Sequence, residues 1–267
     1  MKRPPAVAGQ FYYGDAARLK DQVEQYAVPA AVKEKAIGIL SPHAGLMYSG
    51  AVAGAVYSSL RQPDTFLLLG PNHTGLGAPA SLMASGEWEI PSGIFSIDEG
   101  LAASLLQKAP YLAADVQAHA YEHSLEVQLP FIAHFSGGAK IVPLLLMGAS
   151  LRECEEIGKG LAAAVGEAGY EVVIVASSDM SHYVSHETAK RLDGLALQEI
   201  LALNPEGLYA TVRRERISMC GVVPVTVMLF AALALGASKA RLVKYATSGE
   251  TSGDYARVVG YAGVIIS

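Results

Sequence analysis

The chain has 267 residues, 51% hydrophobic and 17% charged, with 27 glycines and 13 prolines, a composition that fits neither a disordered segment, nor collagen, nor a coiled coil. Basic residues number 20 and acidic residues 25, for a net charge of −5 with no block of like charges, so the electrostatic footprint of a nucleic-acid binder is missing. Cys154 and Cys220 lie far apart, and Met1-Lys2-Arg3-Pro4-Pro5 leads into no apolar h-region, which predicts a reduced, cytoplasmic protein.

Residues 36–40 form a short apolar run closed by Ser41-Pro42 and read as a strand, and the small-residue run 50–60 reads as a helix. A second strand, 65–69, is closed by Gly70-Pro71-Asn72. The stretch 75–93, rich in Gly, Pro and Ser, predicts loops or a hairpin around Trp88, ahead of a helix near 99–107. Residues 122–135 pattern as a helix, 139–146 as a strand, 151–168 as a helix with polar residues on one face, 171–176 as a strand and 187–203 as a helix. The uncharged stretch 217–238 reaches the length of a membrane span. Ser218, Cys220, Gly221 and Pro224 interrupt it, however, and leave a continuous apolar helix only over 225–235, which predicts a buried core helix. Two more strands, 240–245 and 258–266, close the chain. Apolar runs alternating with helices predict an α/β fold, a single domain over 1–267 whose mostly buried mixed sheet is flanked by helices.

In open α/β sheets ligands bind beyond the carboxyl ends of the strands. Three such ends carry an imidazole among turn formers: Ser41-Pro42-His43-Ala44-Gly45, Gly70-Pro71-Asn72-His73-Thr74-Gly75 and Ser177-Ser178-Asp179-Met180-Ser181-His182. A lone loop histidine is ordinarily solvated or capped. Three in one topological position, with Asp179, point to a metal site or to a general acid/base pair near neutral pH. Cys220 precedes Gly221-Val222-Val223-Pro224, and a proline there favours the first turn of the apolar helix, where the dipole draws a thiol toward the thiolate. The other reading of Cys220 is a small buried hydrophobe. Cys154 sits beside Glu153, Glu155 and Glu156, which disfavour a thiolate, and takes no role.

Tyr121-Glu122-His123-Ser124-Leu125-Glu126 sets His123 and Glu126 one helical turn apart, an arrangement that a solvated helix face also produces. His119, His134 and His186 read as surface or packing residues. The polar stretch 247–254 could line a pocket, but no GKS or GKT follows it. The sequence contains no GxSxG, HExxH or GxGxxG, so serine hydrolase, zincin and dinucleotide oxidoreductase lose their usual support.

Five motifs in register resemble the Memo family: Ser41-Pro42-His43-Ala44-Gly45 with Tyr48-Ser49-Gly50, Gly70-Pro71-Asn72-His73, Glu122-His123-Ser124-Leu125-Glu126-Val127-Gln128-Leu129-Pro130, Ser177-Ser178-Asp179-Met180-Ser181-His182 and Met219-Cys220-Gly221. Prokaryotic members are called AmmeMemoRadiSam system protein B, and the resemblance runs from Arg3-Pro4-Pro5-Ala6-Val7-Ala8-Gly9 to the last strand. It implies a fold similar to the class III extradiol dioxygenases, which hold Fe(II) through two histidines and a glutamate. On that pattern His43 and His73 would be metal ligands, and Cys220 would stand where the dioxygenases have their carboxylate. A thiolate is softer, suits copper or zinc as well as iron, and is itself oxidisable. His182 would take the acid/base position with Asp179 beside it, and His123 would be a further pocket residue. The resemblance implies iron or copper as cofactor, with zinc a third choice, and redox or oxygen chemistry on an unidentified substrate. It also implies a function of another class, a peptide- or protein-binding module that works beside an AMMECR-type protein and a radical SAM protein.

Overall fold

The computed structural model describes residues 1–29 and 31–267. In chain order the elements are β1 (Lys2–Arg3), α1 (Ala16–Glu24), β2 (Gly38–Ser41), α2 (Leu46–Ser58), β3 (Thr65–Pro71), β4 (Ala80–Leu82), β5 (Glu87–Ile90), β6 (Gly93–Ser96), α3 (Glu99–Lys108) and β7 (Ala113–Ala114). A 3-10 turn (Glu126–Gln128) then leads into α4 (Leu129–Phe135), followed by β8 (Lys140–Leu146), α5 (Leu151–Gly166), β9 (Val172–Ser177), β10 (His182–Val184), α6 (His186–Leu201), α7 (Pro205–Arg214), α8 (Val222–Ala234), β11 (Ala240–Thr247), α9 (Gly249–Ser252) and β12 (Val258–Ile266).

Four parallel strands in the order β2-β9-β3-β8 make the heart of the main sheet. On one side β12 joins antiparallel to β2 and pairs with β10 and β11. On the other, β4 runs antiparallel to β8 and carries the short β7. The sheet is therefore mixed, as the alternating pattern predicts. A small second sheet pairs β1 with the β5–β6 hairpin, on which Trp88 is fully buried.

Every residue of β2, β3 and β9 is buried, which is why these strands read as unbroken apolar runs: helices cover both faces. A Cβ on Gly38 of β2 would press on Met228 of α8, whereas one on Gly263 of β12 would press on Val52 and Val56 of α2, so α8 and α2 lie on opposite faces. α8 packs against α5 and buries most of its circumference. Among the described residues no helix is long and apolar enough to cross a membrane, and the uncharged stretch 217–238 resolves into a loop and this core helix.

Three local features depart from the sequence reading. α1 is capped by Asp15, whose side chain accepts from the Arg18 amide, and buries Leu19 and Val23; α7 starts at Asn204-Pro205, with the Asn204 side chain accepting from Gly207, and buries Leu208, Tyr209 and Val212. Helix does not begin at Glu122 either. The amides of His123 and Ser124 turn back onto the Glu122 carboxylate, and helical structure starts only with the turn at Glu126. At the carboxyl edge of the sheet β2, β3 and β9 end at Ser41, Pro71 and Ser177, and their loops converge there.

Candidate metal centre

His43 follows the end of β2 and is almost entirely buried. Its ring is held at both nitrogens: Nδ1 lies 2.9 Å from Ser177 Oγ at the end of β9, and Nε2 lies 3.3 Å from Cys220 Sγ. Burial, followed by the neighbouring His123 and His73, keeps its pKa well below the ordinary histidine value, so the ring is neutral.

His73 follows β3. Its Nδ1 donates to Glu122 Oε1 at 2.9 Å and its backbone amide donates to Glu122 Oε2. The same carboxylate accepts the amides of His123 and Ser124, each at 2.9 Å. Burial opposes a charge on Glu122, but the bonds from His73 and these amides outweigh it and hold the pKa at about 2. Glu122 therefore stays an acceptor, fixes the proton of His73 on Nδ1 and leaves Nε2 bare, the arrangement in which carboxylates orient metal-binding histidines. Gly70 makes this possible, because a Cβ there would collide with Leu125 and Ser124 and push the 122–125 loop away from β3.

His123 stacks on His73 with ring centroids 4.7 Å apart and meets His43 edge-on at 5.4 Å; His43 and His73 are also 5.4 Å apart. One ring nitrogen from each of the three lies within 4.8 Å of the others. Phe11 packs on the outer side of His123, and burial lowers the His123 pKa.

Cys220 arrives from the other face of the sheet, one residue before the α8 cap Gly221. Gly221 presses against Ser177 and Ser178, where a Cβ has no room, and this contact carries Cys220 onto the strand ends. The Asp179 amide donates to its sulfur at 3.3 Å. Burial pushes the thiol up to about 12, with the Asp179 carboxylate adding to the shift. The position near the helix start is as the sequence suggests, yet the thiolate it was expected to favour is opposed by burial and by Asp179. Asp179 accepts the amides of His43 (2.8 Å) and Ala44 (3.3 Å) and so ties the end of β9 to that of β2; its own pKa is lifted by burial to about 6.

His182 lies on β10 beside a register shift, next to Tyr183, whose φ of 59° is left-handed. Its Nδ1 is tied to the Ser218 carbonyl at 2.8 Å and its amide to Ser218 Oγ. It thus anchors the segment leading to Cys220, while the three-ring contact belongs to His43, His73 and His123. Of the residues singled out in the sequence, His43, His73, His123, Cys220 and Asp179 come together. Glu126 does not join them, for its carboxylate is buried against Arg3. Glu122 was not singled out, and its one sequence signal is a carboxylate adjacent to His123.

The donor set suits a metal. Metal–sulfur and metal–nitrogen bonds of about 2.3 and 2.05 Å at angles of roughly 90–110° put the two donor atoms about 3.1–3.6 Å apart. The 3.3 Å between Cys220 Sγ and His43 Nε2 falls in that range; the imidazole nitrogens of His43, His73 and His123 stand within 4.8 Å of one another and would draw closer around an ion. Imidazole donors suit a transition metal rather than magnesium or calcium.

The fold and this cluster define an α/β protein with a candidate metal centre at the carboxyl edge of its sheet. The family model described as Memo-like protein matches residues 3–265, and the chain belongs to that family. Its relatives include MEMO1 family proteins of Methanopyrus kandleri (39% identical, 99% of each chain covered), Pyrobaculum aerophilum (41%, 98% of each) and Aquifex aeolicus (43%, 98% of each). Among solved structures, that of an uncharacterized protein from Escherichia coli K12 is similar in fold, with a TM-score of 0.60 at 14% identity over 85% of this chain and 98% of the other.

Proposed function

We propose that the protein binds iron or copper through His43, His73 and Cys220, with His123 beside them, and uses the metal for redox or oxygen chemistry on an unidentified substrate. The observation that supports this reading is the cluster of His43, His73 and His123, with ring nitrogens within 4.8 Å of one another, and Cys220 Sγ approaches one of them, His43 Nε2, at 3.3 Å. When bound, the metal would supply Lewis-acid and one-electron chemistry. The chain's own contribution is orientation and proton handling. Glu122 holds His73, Ser177 holds His43, and Asp179 fixes the backbone between them. The Ser218 carbonyl fixes the His182 proton on Nδ1, which leaves Nε2 to accept a proton from a substrate or return one.

A second reading is a peptide- or protein-binding module, acting with AMMECR-type and radical SAM partners. Its support is a cleft of about 410 Å³ lined by Phe11, Tyr13, Gln22, Met47 and Tyr48, which shares Phe11 with the wall of the histidine cluster. Metal content of untagged protein purified without oxygen, measured by mass spectrometry beside His43→Ala and Cys220→Ala, separates the two. The metal reading expects about one equivalent in the parent and loss in both variants while they remain folded. Trace metal, unchanged by either substitution, would favour the binding module.

A further inference from the structure

The tautomer of His43 is set by hydrogen bonds behind the cluster, which run from Ser177 to Gln128 and the Ser124 carbonyl. The fully buried Gln128 amide lies with Nε2 2.9 Å from the Pro42 carbonyl and Oε1 3.1 Å from the Tyr57 hydroxyl. A carbonyl only accepts, so the nitrogen must face Pro42, and the second Nε2 hydrogen points to Ser177 Oγ at 2.8 Å. Ser177 in turn lies 2.6 Å from the Ser124 carbonyl, which again only accepts, so the one hydroxyl proton goes there. Ser177 Oγ then has no proton left for His43 Nδ1 at 2.9 Å and must accept from it.

We infer that Ser177, held by Gln128 and the Ser124 carbonyl, is a positioning residue that locks His43 in the Nδ1–H form and presents a bare Nε2 lone pair beside Cys220 Sγ. The inference rests on the metal reading for its purpose and on the hydrogen bonds alone for its geometry. The opposite tautomer would need the Ser177 proton to turn to His43 and would leave the Ser124 carbonyl buried without a donor. Such a loss disfavours that state on the order of tenfold or more. His73 reaches the same form by another device, a charged carboxylate at Nδ1, and the two arrangements meet at Ser124, whose amide donates to Glu122 and whose carbonyl accepts from Ser177.

The test reads the tautomer directly, in the metal-free protein, from the imidazole ¹⁵N shifts of His43 in the parent and in Ser177→Ala. The parent is expected to show Nδ1 protonated and Nε2 bare. The variant, which has no acceptor at Nδ1, is expected to show a mixture and to bind Fe(II) about tenfold more weakly, and Ser177→Thr, which keeps the hydroxyl, restores both. Nε2 protonation in the parent overturns the inference without any variant, as does an unchanged tautomer and unchanged Fe(II) affinity in Ser177→Ala. If the parent shows Nδ1–H but takes up no Fe(II) or Cu(I), the metal reading fails and the purpose assigned to the wiring fails with it, while the hydrogen-bond assignment stands.

Discussion

Glu122 and Glu126 belong to one motif and are both fully buried, yet they face different tasks. Glu122 turns to the open edge of the sheet, where it takes two bonds from His73 and one each from the amides of His123 and Ser124. Glu126 turns inward. It pairs with the Arg3 guanidinium at 2.5 Å and accepts the amides of Ala6 and Val7 and the Tyr12 hydroxyl. Arg3 completes that knot by donating to the carbonyls of His119 and Glu122 and by lying 4.0 Å over the Trp88 ring. Each carboxylate is satisfied by several donors, as burial demands. One organises ligands that stay accessible, and the other clamps the first residues of the chain onto the fold. A buried carboxylate is therefore no sign of chemistry by itself; what it touches decides.

Removing the inner carboxylate should have the largest effect. Glu126→Ala strands the Arg3 charge inside the protein and is expected to cost about 3–5 kcal/mol, read by denaturant unfolding, while the metal bound per folded molecule stays as in the parent. A loss below 1 kcal/mol would mean that water or a shift of Arg3 relieves the charge. The same region carries an acid-sensitive group. His119 is fully buried, with Nε2 on the Ser81 carbonyl and, among the described residues, no partner at Nδ1, and burial lowers its pKa from 6.5 to about 4. The unfolded chain thus takes up the proton first, so stability is complete above about pH 6.5 and falls as the pH drops toward 4, by up to about 3 kcal/mol. His119→Gln, which still offers a donor to Ser81 and does not titrate there, should flatten that part of the stability curve. Parallel curves for parent and variant would assign the acid loss elsewhere.

The two regions differ as much in how far the sequence reveals them. The strand ends were legible because fully buried parallel strands leave apolar runs that stop abruptly at Gly, Pro and Ser, and His43, His73 and Asp179 follow from those stops, while Cys220 was marked by the start of the apolar helix after it. The inner knot left no such trace, since Arg3 and Glu126 are separated by most of the N-terminal half and a buried ion pair has no local pattern. Periodicity misled at 122–135 for a related reason. It set His123 and Glu126 on one helix face, whereas the Glu122 side chain captures the amides that would have started that helix. The caps at Asp15 and Asn204-Pro205, with Leu19 and Val23 in α1 and Leu208, Tyr209 and Val212 in α7 at helical spacing, were readable signals that the sequence reading passed over.

The outer carboxylate gives the complementary experiment. Glu122→Gln keeps the shape, but its amide nitrogen must face either the His73 amide or the donors at Oε1. The His73 ring then loses a charged acceptor, and metal affinity is expected to fall about 10–100-fold with a smaller change in unfolding free energy than Glu126→Ala produces. If Glu122→Gln instead costs as much stability as Glu126→Ala and leaves metal affinity intact, the division between the two carboxylates is wrong.

The smallest effect should come from Tyr12→Phe. The Tyr12 hydroxyl donates to Glu126 Oε1 at 2.5 Å, and burial, with the Glu126 charge and that bond, raises the phenol's pKa well above its ordinary value. Without it Glu126 keeps Arg3 and the Ala6 and Val7 amides, so no charge is stranded and the expected cost is about 1 kcal/mol. The contrast with Glu126→Ala then measures how much of the knot is the ion pair and how much is the hydrogen bonds around it. Because Tyr12 borders Phe11, which packs on His123, metal affinity of this variant is the finer readout. An unchanged affinity keeps the two regions separate, and a tenfold loss would show that the clamp on the N-terminal segment also sets the outer wall of the metal centre.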